Sequence, residues 1–171
     1  MYLTLTDIVL LTSIIQSLAL AVFLLLPSNS GLISNRLLVA TLVFFAAGLG
    51  EIFLYGSGLA LQYPNFAYLG TLIGLLQAGT LYLYAQSLMY QNFQLRGKHL
   101  VHTLLFWVVG AIFLIEYYLQ PSETKVQILL ERDHPGVLTS PLLAVAIHAV
   151  FLGYLYATIR AINRFGLGIR Q

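Results

Sequence analysis

Apolar residues run almost unbroken along five stretches of this chain, and polar residues gather between them. The stretches are Ile8 to Leu26, Leu37 to Leu61, Phe66 to Tyr90, Leu100 to Leu119, and Pro141 to about Ile162. A helix needs about 20 mostly apolar residues to cross the hydrocarbon core of a bilayer. Each stretch meets that length, and the runs are continuous rather than alternating, which argues against a β-barrel. The pattern predicts an all-α, polytopic membrane bundle of five transmembrane helices forming a single domain over residues 1–171.

The punctuation agrees. Pro27-Ser28-Asn29-Ser30-Gly31 breaks the chain after the first span. Tyr63-Pro64-Asn65 reads as a tight, uncharged hairpin. Ser140-Pro141 reads as an N-cap followed by proline at the first helical position. Gly166 and Gly168 end the fifth span. Asp7, with no Lys or Arg before the first apolar run, is the wrong flank for a cleaved signal peptide, so the first span is expected to be retained.

Composition strengthens this reading. Hydrophobic residues make up 59% of the 171 and charged residues only 8%, against about 25% charged in soluble domains. Fourteen charges cannot coat a soluble core of this size. With no cysteine, disulfide scaffolds and thiolate metal sites are excluded. A net charge of +2 gives no nucleic-acid-binding surface. There is no phosphate loop, nucleophile elbow or HExxH motif, so no enzyme activity is expected. No metal or cofactor is expected either: His99 and His102 sit at a span mouth, His134 in a loop, and His148 within the fifth span. That arrangement offers no matched pair for haem.

Charge also orients the bundle. With the N-terminus outside, Arg36, Arg96, Lys98, Arg160, Arg164 and Arg170 lie inside, and only Lys125 and Arg132 lie outside. The positive-inside rule therefore predicts N-out, C-in. The loop before the fifth span is the only long one. Ser122 as a cap, Glu123 in the first turn, and Val126, Leu129 and Leu130 on one face predict a short amphipathic helix over about 123–132 on the outer surface. An irregular loop is the alternative. His134-Pro135-Gly136 would stop the helix.

Among polar residues within the spans, Glu51 stands out. A carboxyl group in hydrocarbon costs several kcal/mol unless paired, hydrated or protonated. Ala47 and Gly48 share its helix face, so it should point into the bundle. It is either a ligand, ion or proton site, or a carboxylic acid hydrogen-bonded to a neighbouring helix. A rise of about 1.5 Å per residue places Gln16, Glu51, Gln77 and His148 at similar depth in the outer leaflet. They are expected to form a polar layer in which Glu51 meets His148, Gln77 or Gln16. Small residues recur every fourth position at Gly70, Gly74 and Ala78, and at Ala149, Gly153, Ala157 and Ala161. These are helix-packing stripes, serving either the bundle itself or a homodimer. Tyr82-Leu83-Tyr84 and Tyr117-Tyr118 read as interfacial aromatic belts.

Leu81-Tyr82-Leu83-Tyr84-Ala85-Gln86-Ser87-Leu88, a short basic loop, and His99-Leu100-Val101-His102-Thr103-Leu104-Leu105-Phe106 form one suggestive series. Tyr117-Tyr118-Leu119-Gln120-Pro121-Ser122-Glu123-Thr124-Lys125 and Tyr154-Leu155-Tyr156 through Arg164 extend it. Together, over roughly residues 36 to 165, they resemble the membrane-embedded N-terminal sensor region of AraC-type transcriptional regulators. In that family a multi-pass sensor precedes a cytoplasmic helix-turn-helix domain. No DNA-binding domain follows here, so the resemblance implies a fragment or a stand-alone sensor module. It would work in a bacterial inner (plasma) membrane, pass its signal to a separate cytoplasmic output domain or protein, and bind no nucleic acid directly. The expected function is a membrane sensory or signalling domain. The alternative is a small transporter or channel subunit with Glu51 on an ion or proton path.

Overall fold

A computed structural model describes residues 4–26, 32–90, 92–131 and 140–168. The breaker at 27–31, the His134-Pro135-Gly136 stop, Arg132 and Arg170 lie outside these residues. The described chain is helical, with no strand among the described residues. Five helical stretches are long and apolar enough to cross a membrane: Leu5–Leu24, Ile33–Gly56, Pro64–Met89, Gly97–Tyr118 and Pro141–Phe165. The predicted five-span architecture is present.

The first span is helix α1, Leu5–Leu24, which opens with a reciprocal cap. The Asp7 amide donates to Thr4 Oγ1, and Asp7 Oδ2 accepts from the Thr4 amide at 2.8 Å and from its hydroxyl at 2.7 Å. These bonds satisfy amides that the first turn leaves unpaired, and Asp7 is buried as a result. The second span is α2, Ile33–Gly56. It ends at Gly56, five residues before the expected Leu61, because Gly58 turns the backbone at φ 75°, a left-handed conformation that glycine adopts without strain. A single turn, α3 (Leu59–Gln62), and a 3-10 turn, Pro64–Phe66, complete the connection.

The third span is not one rod. It consists of the Pro64–Phe66 turn, α4 (Leu69–Gly74) and α5 (Gln77–Met89). Tyr68, at φ 64°, is the only non-glycine residue with positive φ among the described residues. It re-aims the chain before α4, and Leu75 and Leu76 separate α4 from α5. The fourth span begins as a 3-10 helix at Gly97–Thr103, continues as α6 (Leu104–Phe113), and ends in a π-helical turn, Leu114–Tyr118. Helix α7 (Ser122–Leu130) follows, and α8 (Pro141–Gly168) is the fifth span. Helix α8 starts at Pro141 as expected, but runs through Gly166 to Gly168.

Helix α2 is the centre of the bundle, with α1 along one side and α4 and α5 along another; α8 packs on α5, and α4 touches α6. Thr41 and Thr80 hydroxyls, 3.2 Å apart, tie α2 to α5. Leu72, Leu75, Val109 and Phe113 form the main apolar core, flanked by Leu143 and Ile147 of α8. Many large apolar side chains face outward on every span, including Ile15, Ile52, Trp107 and Leu152. Such a surface suits lipid and not water.

Tyr117 and Tyr118 are not belt residues. Tyr117 is fully buried, and its hydroxyl donates to the Pro64 carbonyl at 2.6 Å; the Tyr118 hydroxyl donates to that of Ala67 at 2.8 Å. Both carbonyls lie in the irregular start of the third span; that of Pro64 also accepts from the Ala67 amide at 3.2 Å, and that of Ala67 stands just before the break at Tyr68. The π turn carries the two tyrosines that donate to them. Helix α7 forms nearly where expected, with Glu123 in its first turn but no side-chain cap from Ser122. Its buried face is Lys125 and Ile128 rather than Leu130, which is exposed. Ile128 packs with Ala67 and Tyr117, and Lys125 Nζ donates to Asn65 Oδ1 at 2.8 Å while lying 5.9 Å from the Tyr117 ring centroid. The helix is thus latched onto the turn at 64–66.

Candidate functional site

The break at Tyr68 creates a problem inside the third span. Helix α4 begins there, and its first amides have no carbonyl one turn back to bind. Its N-terminal residue supplies no side-chain cap. The cap comes instead from another span. Glu51 Oε2 accepts from the Thr71 amide at 2.5 Å, and Oε1 accepts from the Thr71 hydroxyl at 2.8 Å. Thr71 is the third residue of α4, the position that an N-cap side chain ordinarily serves. A carboxylate there also meets the positive end of the helix dipole.

Gly70 makes this approach possible. A Cβ on Gly70 would run into the Ala47 carbonyl oxygen and lie 2.7 Å from Glu51 Cβ and 2.9 Å from Oε2. The small residue before Glu51 on α2 and the glycine before Thr71 on α4 therefore let two backbones meet. Glu51 points into the bundle, as expected, and is 8% exposed. Its partner is Thr71, however, not His148, Gln77 or Gln16. Because α2 ends at Gly56, Glu51 lies about 8 Å below the helix end, nearer the surface than a span reaching Leu61 would place it.

A cleft of about 530 Å³ opens beside this clamp. Phe45, Gly48, Leu49, Glu51, Ile52 and Tyr55 of α2 line one wall; Gly70, Thr71, Gly74 and Gln77 line the second; His148 of α8 closes the third. Three of the four expected polar-layer residues therefore share one cavity. Gln16 is the exception: it is exposed on α1 and does not line the cleft. His148 Nδ1 is 2.7 Å from the Ala144 carbonyl one turn back, which makes Nδ1 the protonated nitrogen. The volume falls within the range of small-molecule pockets. The mixed lining suits a compact, largely apolar molecule with one or two hydrogen-bonding groups.

The packing stripes divide unevenly. Gly70 and Ala78 are buried. Gly74 has nothing within 4 Å of a would-be Cβ and faces the cleft. On α8, Ala149 and Gly153 are exposed, Ala157 and Ala161 are only half-buried, and Gly153 too has open space around its Cα. The Ala149–Gly153 part of the α8 stripe makes no close contact within the bundle. The second close crossing is instead Gly79 against His102, where a Cβ would meet His102 Cβ at 3.0 Å and its carbonyl oxygen at 3.1 Å. Regular spacing singled out Gly74 and Gly153, whereas Gly79 stands outside any stripe.

Around that crossing, His102 Nδ1 is 2.7 Å from the Tyr154 hydroxyl of α8. Tyr82 packs against both rings and receives a 2.6 Å hydrogen bond from Gln86 Nε2. Tyr82, like Tyr117, is a structural tyrosine and not a belt residue. Compared with known proteins, the chain matches no family model, no curated protein and no solved structure.

Proposed function

We propose that this protein is a membrane sensory domain in which a small molecule entering the α2–α4–α8 cleft shifts α8 and thereby a cytoplasmic output. The observation that carries this reading is the contrast between the walls of the cleft. Glu51 and Thr71 fix α2 and α4 to each other. No residue of α8 from 141 to 165 is buried. A helix held by so few buried contacts moves at low cost, and a ligand touching both walls biases its position through differential affinity. Within the cleft, Tyr55, Gln77 and His148 would bind polar groups, and Phe45, Leu49 and Ile52 the apolar body. The resemblance to AraC-type sensor regions supports a helix-turn-helix regulator as the output. The Lys/Arg distribution supports an N-out, C-in placement in a bacterial inner membrane, which would put the cleft in the outer half of the bilayer.

The transporter alternative would use Glu51 as an ion or proton carrier. It draws support from the placement of Glu51 in the cleft, but both carboxylate oxygens are already engaged by Thr71. Proton flux into liposomes that disappears in Glu51→Gln would favour it.

The absence of native cysteine makes the sensory reading directly testable. Spin labels at Val43→Cys and Ile159→Cys report the α2–α8 distance in lipid nanodiscs. Gly74→Trp grows into the open cleft and stands in for a ligand. A distance distribution that changes between the two backgrounds supports the reading. One narrow, unchanged distance in both overturns it.

A further inference from the structure

The charges of this chain are segregated along the bundle axis. Arg36, Arg96, Lys98, Arg160 and Arg164 lie in the half containing the end of α5 and the start of the fourth span. The described acidic residues, Asp7, Glu51, Glu116, Glu123 and Glu131, all belong to the other half. Lys125, the one described cation in the acidic half, is buried on Asn65. In the basic half, the short loop between the third and fourth spans forms a polar cleft of about 180 Å³. Gln86, Gln94, Arg96, Lys98 and His99 line it, and no acidic side chain does so among the described residues. Arg96 and Lys98 are exposed, and His99 is half-buried.

The cleft is ordered by local contacts. The Arg96 amide donates to His99 Nδ1 at 3.0 Å, so Nδ1 is the acceptor and Nε2 carries the proton of the neutral ring. Phe93 stacks on His99 at 5.4 Å and 22° between planes, holding the ring from its other side. A guanidinium, an ammonium and an imidazole N–H therefore line one cleft at the start of the fourth span, where a lipid headgroup would sit. Guanidinium groups pair with phosphate oxygens bidentately, and basic pockets between spans suit anionic headgroups. We propose that this cleft binds the phosphate of an anionic phospholipid headgroup. It is separate from the α2–α4–α8 cleft and does not rest on the sensory reading.

The test is binding of dioctanoyl phosphatidylglycerol to the full chain in a zwitterionic detergent, followed by native mass spectrometry and calorimetry, with dioctanoyl phosphatidylcholine and sodium phosphate as the other probes. Phosphatidylglycerol should bind more tightly than phosphatidylcholine. Binding should weaken about fivefold in Lys98→Gln and about 25-fold in the Arg96→Gln/Lys98→Gln pair. The Arg160→Gln/Arg164→Gln pair removes the same charge from the same end but outside the cleft, and should weaken binding far less. Arg96→Lys, which keeps the charge but loses the bidentate fork, should weaken binding less than Arg96→Gln, separating a lost contact from a misfolded loop. Displacement of phosphatidylglycerol by equimolar phosphate would support the phosphate site but assign it to a soluble anion, and resistance to displacement supports the lipid. Equal losses in the two double variants, or equal binding of the two lipids, would overturn the proposal.

Discussion

Replacing Gly70 with alanine adds one methyl group where α4 crosses α2. The methyl would run into the Ala47 carbonyl oxygen and stand 2.7 Å from Glu51 Cβ. The first obstacle is backbone, so no rotamer change relieves it, and α4 must move away from α2. Overpacking of this kind costs about 1–3 kcal/mol. The movement also lengthens both hydrogen bonds to Thr71, and interhelical hydrogen bonds in membranes contribute about 0.6–2 kcal/mol each. Alanine recovers about 1 kcal/mol through its higher helix propensity. The expected net destabilisation is about 1–6 kcal/mol, given these terms. Gly74→Ala is the matched control, one turn along the same helix with nothing within 4 Å of its would-be Cβ. It should be neutral or slightly stabilising. Thermal or denaturant unfolding in one detergent compares the two. If Gly70→Ala unfolds no more readily than Gly74→Ala, the close crossing and the inter-span cap it permits are both wrong.

Glu51→Gln keeps an oxygen for the Thr71 amide and an amide that can donate to the Thr71 hydroxyl, so it should lose at most about 1 kcal/mol, whereas Glu51→Leu leaves both groups unpaired and should lose about 2–4 kcal/mol; unfolding of both variants in the same detergent checks the order. Lys125→Met removes the bond to Asn65 and the contact with the Tyr117 ring, and hydrogen exchange should show faster opening of α7 with the remaining spans unchanged. Tyr117→Phe removes one of the two donors to the Pro64 carbonyl, the Ala67 amide remaining at 3.2 Å, and should cost at most about 1 kcal/mol, measured by the same unfolding assay. A reporter fused after Gln171 that is active only in the cytoplasm should be active, and activity of a periplasm-only reporter at that position would reverse the proposed orientation.

The spans were legible because length and continuous apolarity decide them independently of tertiary contacts. The inward aim of Glu51 was legible too, since Ala47 and Gly48 on its face mark a close approach, and Ala47 is indeed where Gly70 meets α2. The identity of its partner was hidden. Thr71 sits in an apolar run that reads as an uninterrupted helix, and nothing local signals that Tyr68 adopts positive φ. Without that break, the Thr71 amide would be bonded within its own helix and unable to receive Glu51. The tyrosines at 117 and 118 were misplaced for a related reason: their acceptors, the Pro64 and Ala67 carbonyls, belong to the irregular start of the third span, which the apolar run does not reveal. The stripes divided for a different reason: Gly70 and Ala78 are buried while Gly74, Ala149 and Gly153 are not. A four-residue spacing marks a smooth helix face, but which face meets a neighbour depends on rotation about the helix axis, and α8 turns Ala149 and Gly153 outward.

The carboxylate of Glu51 also bears on the order in which this protein is made. A short helix such as α4 cannot enter hydrocarbon alone, because its first amides would carry unpaired donors into a medium with no water. The second span brings the missing acceptor, and only the short connection at 57–63 separates them. Those two segments are therefore expected to leave the insertion machinery as one hairpin, with the bond to Thr71 closed during passage or immediately after it. A ribosome stalled after α2 should yield a stably inserted second span. One stalled after α5 in a chain lacking that acid should leave the third span trapped at the interface, its fault expressed in biogenesis before any question of folded stability arises.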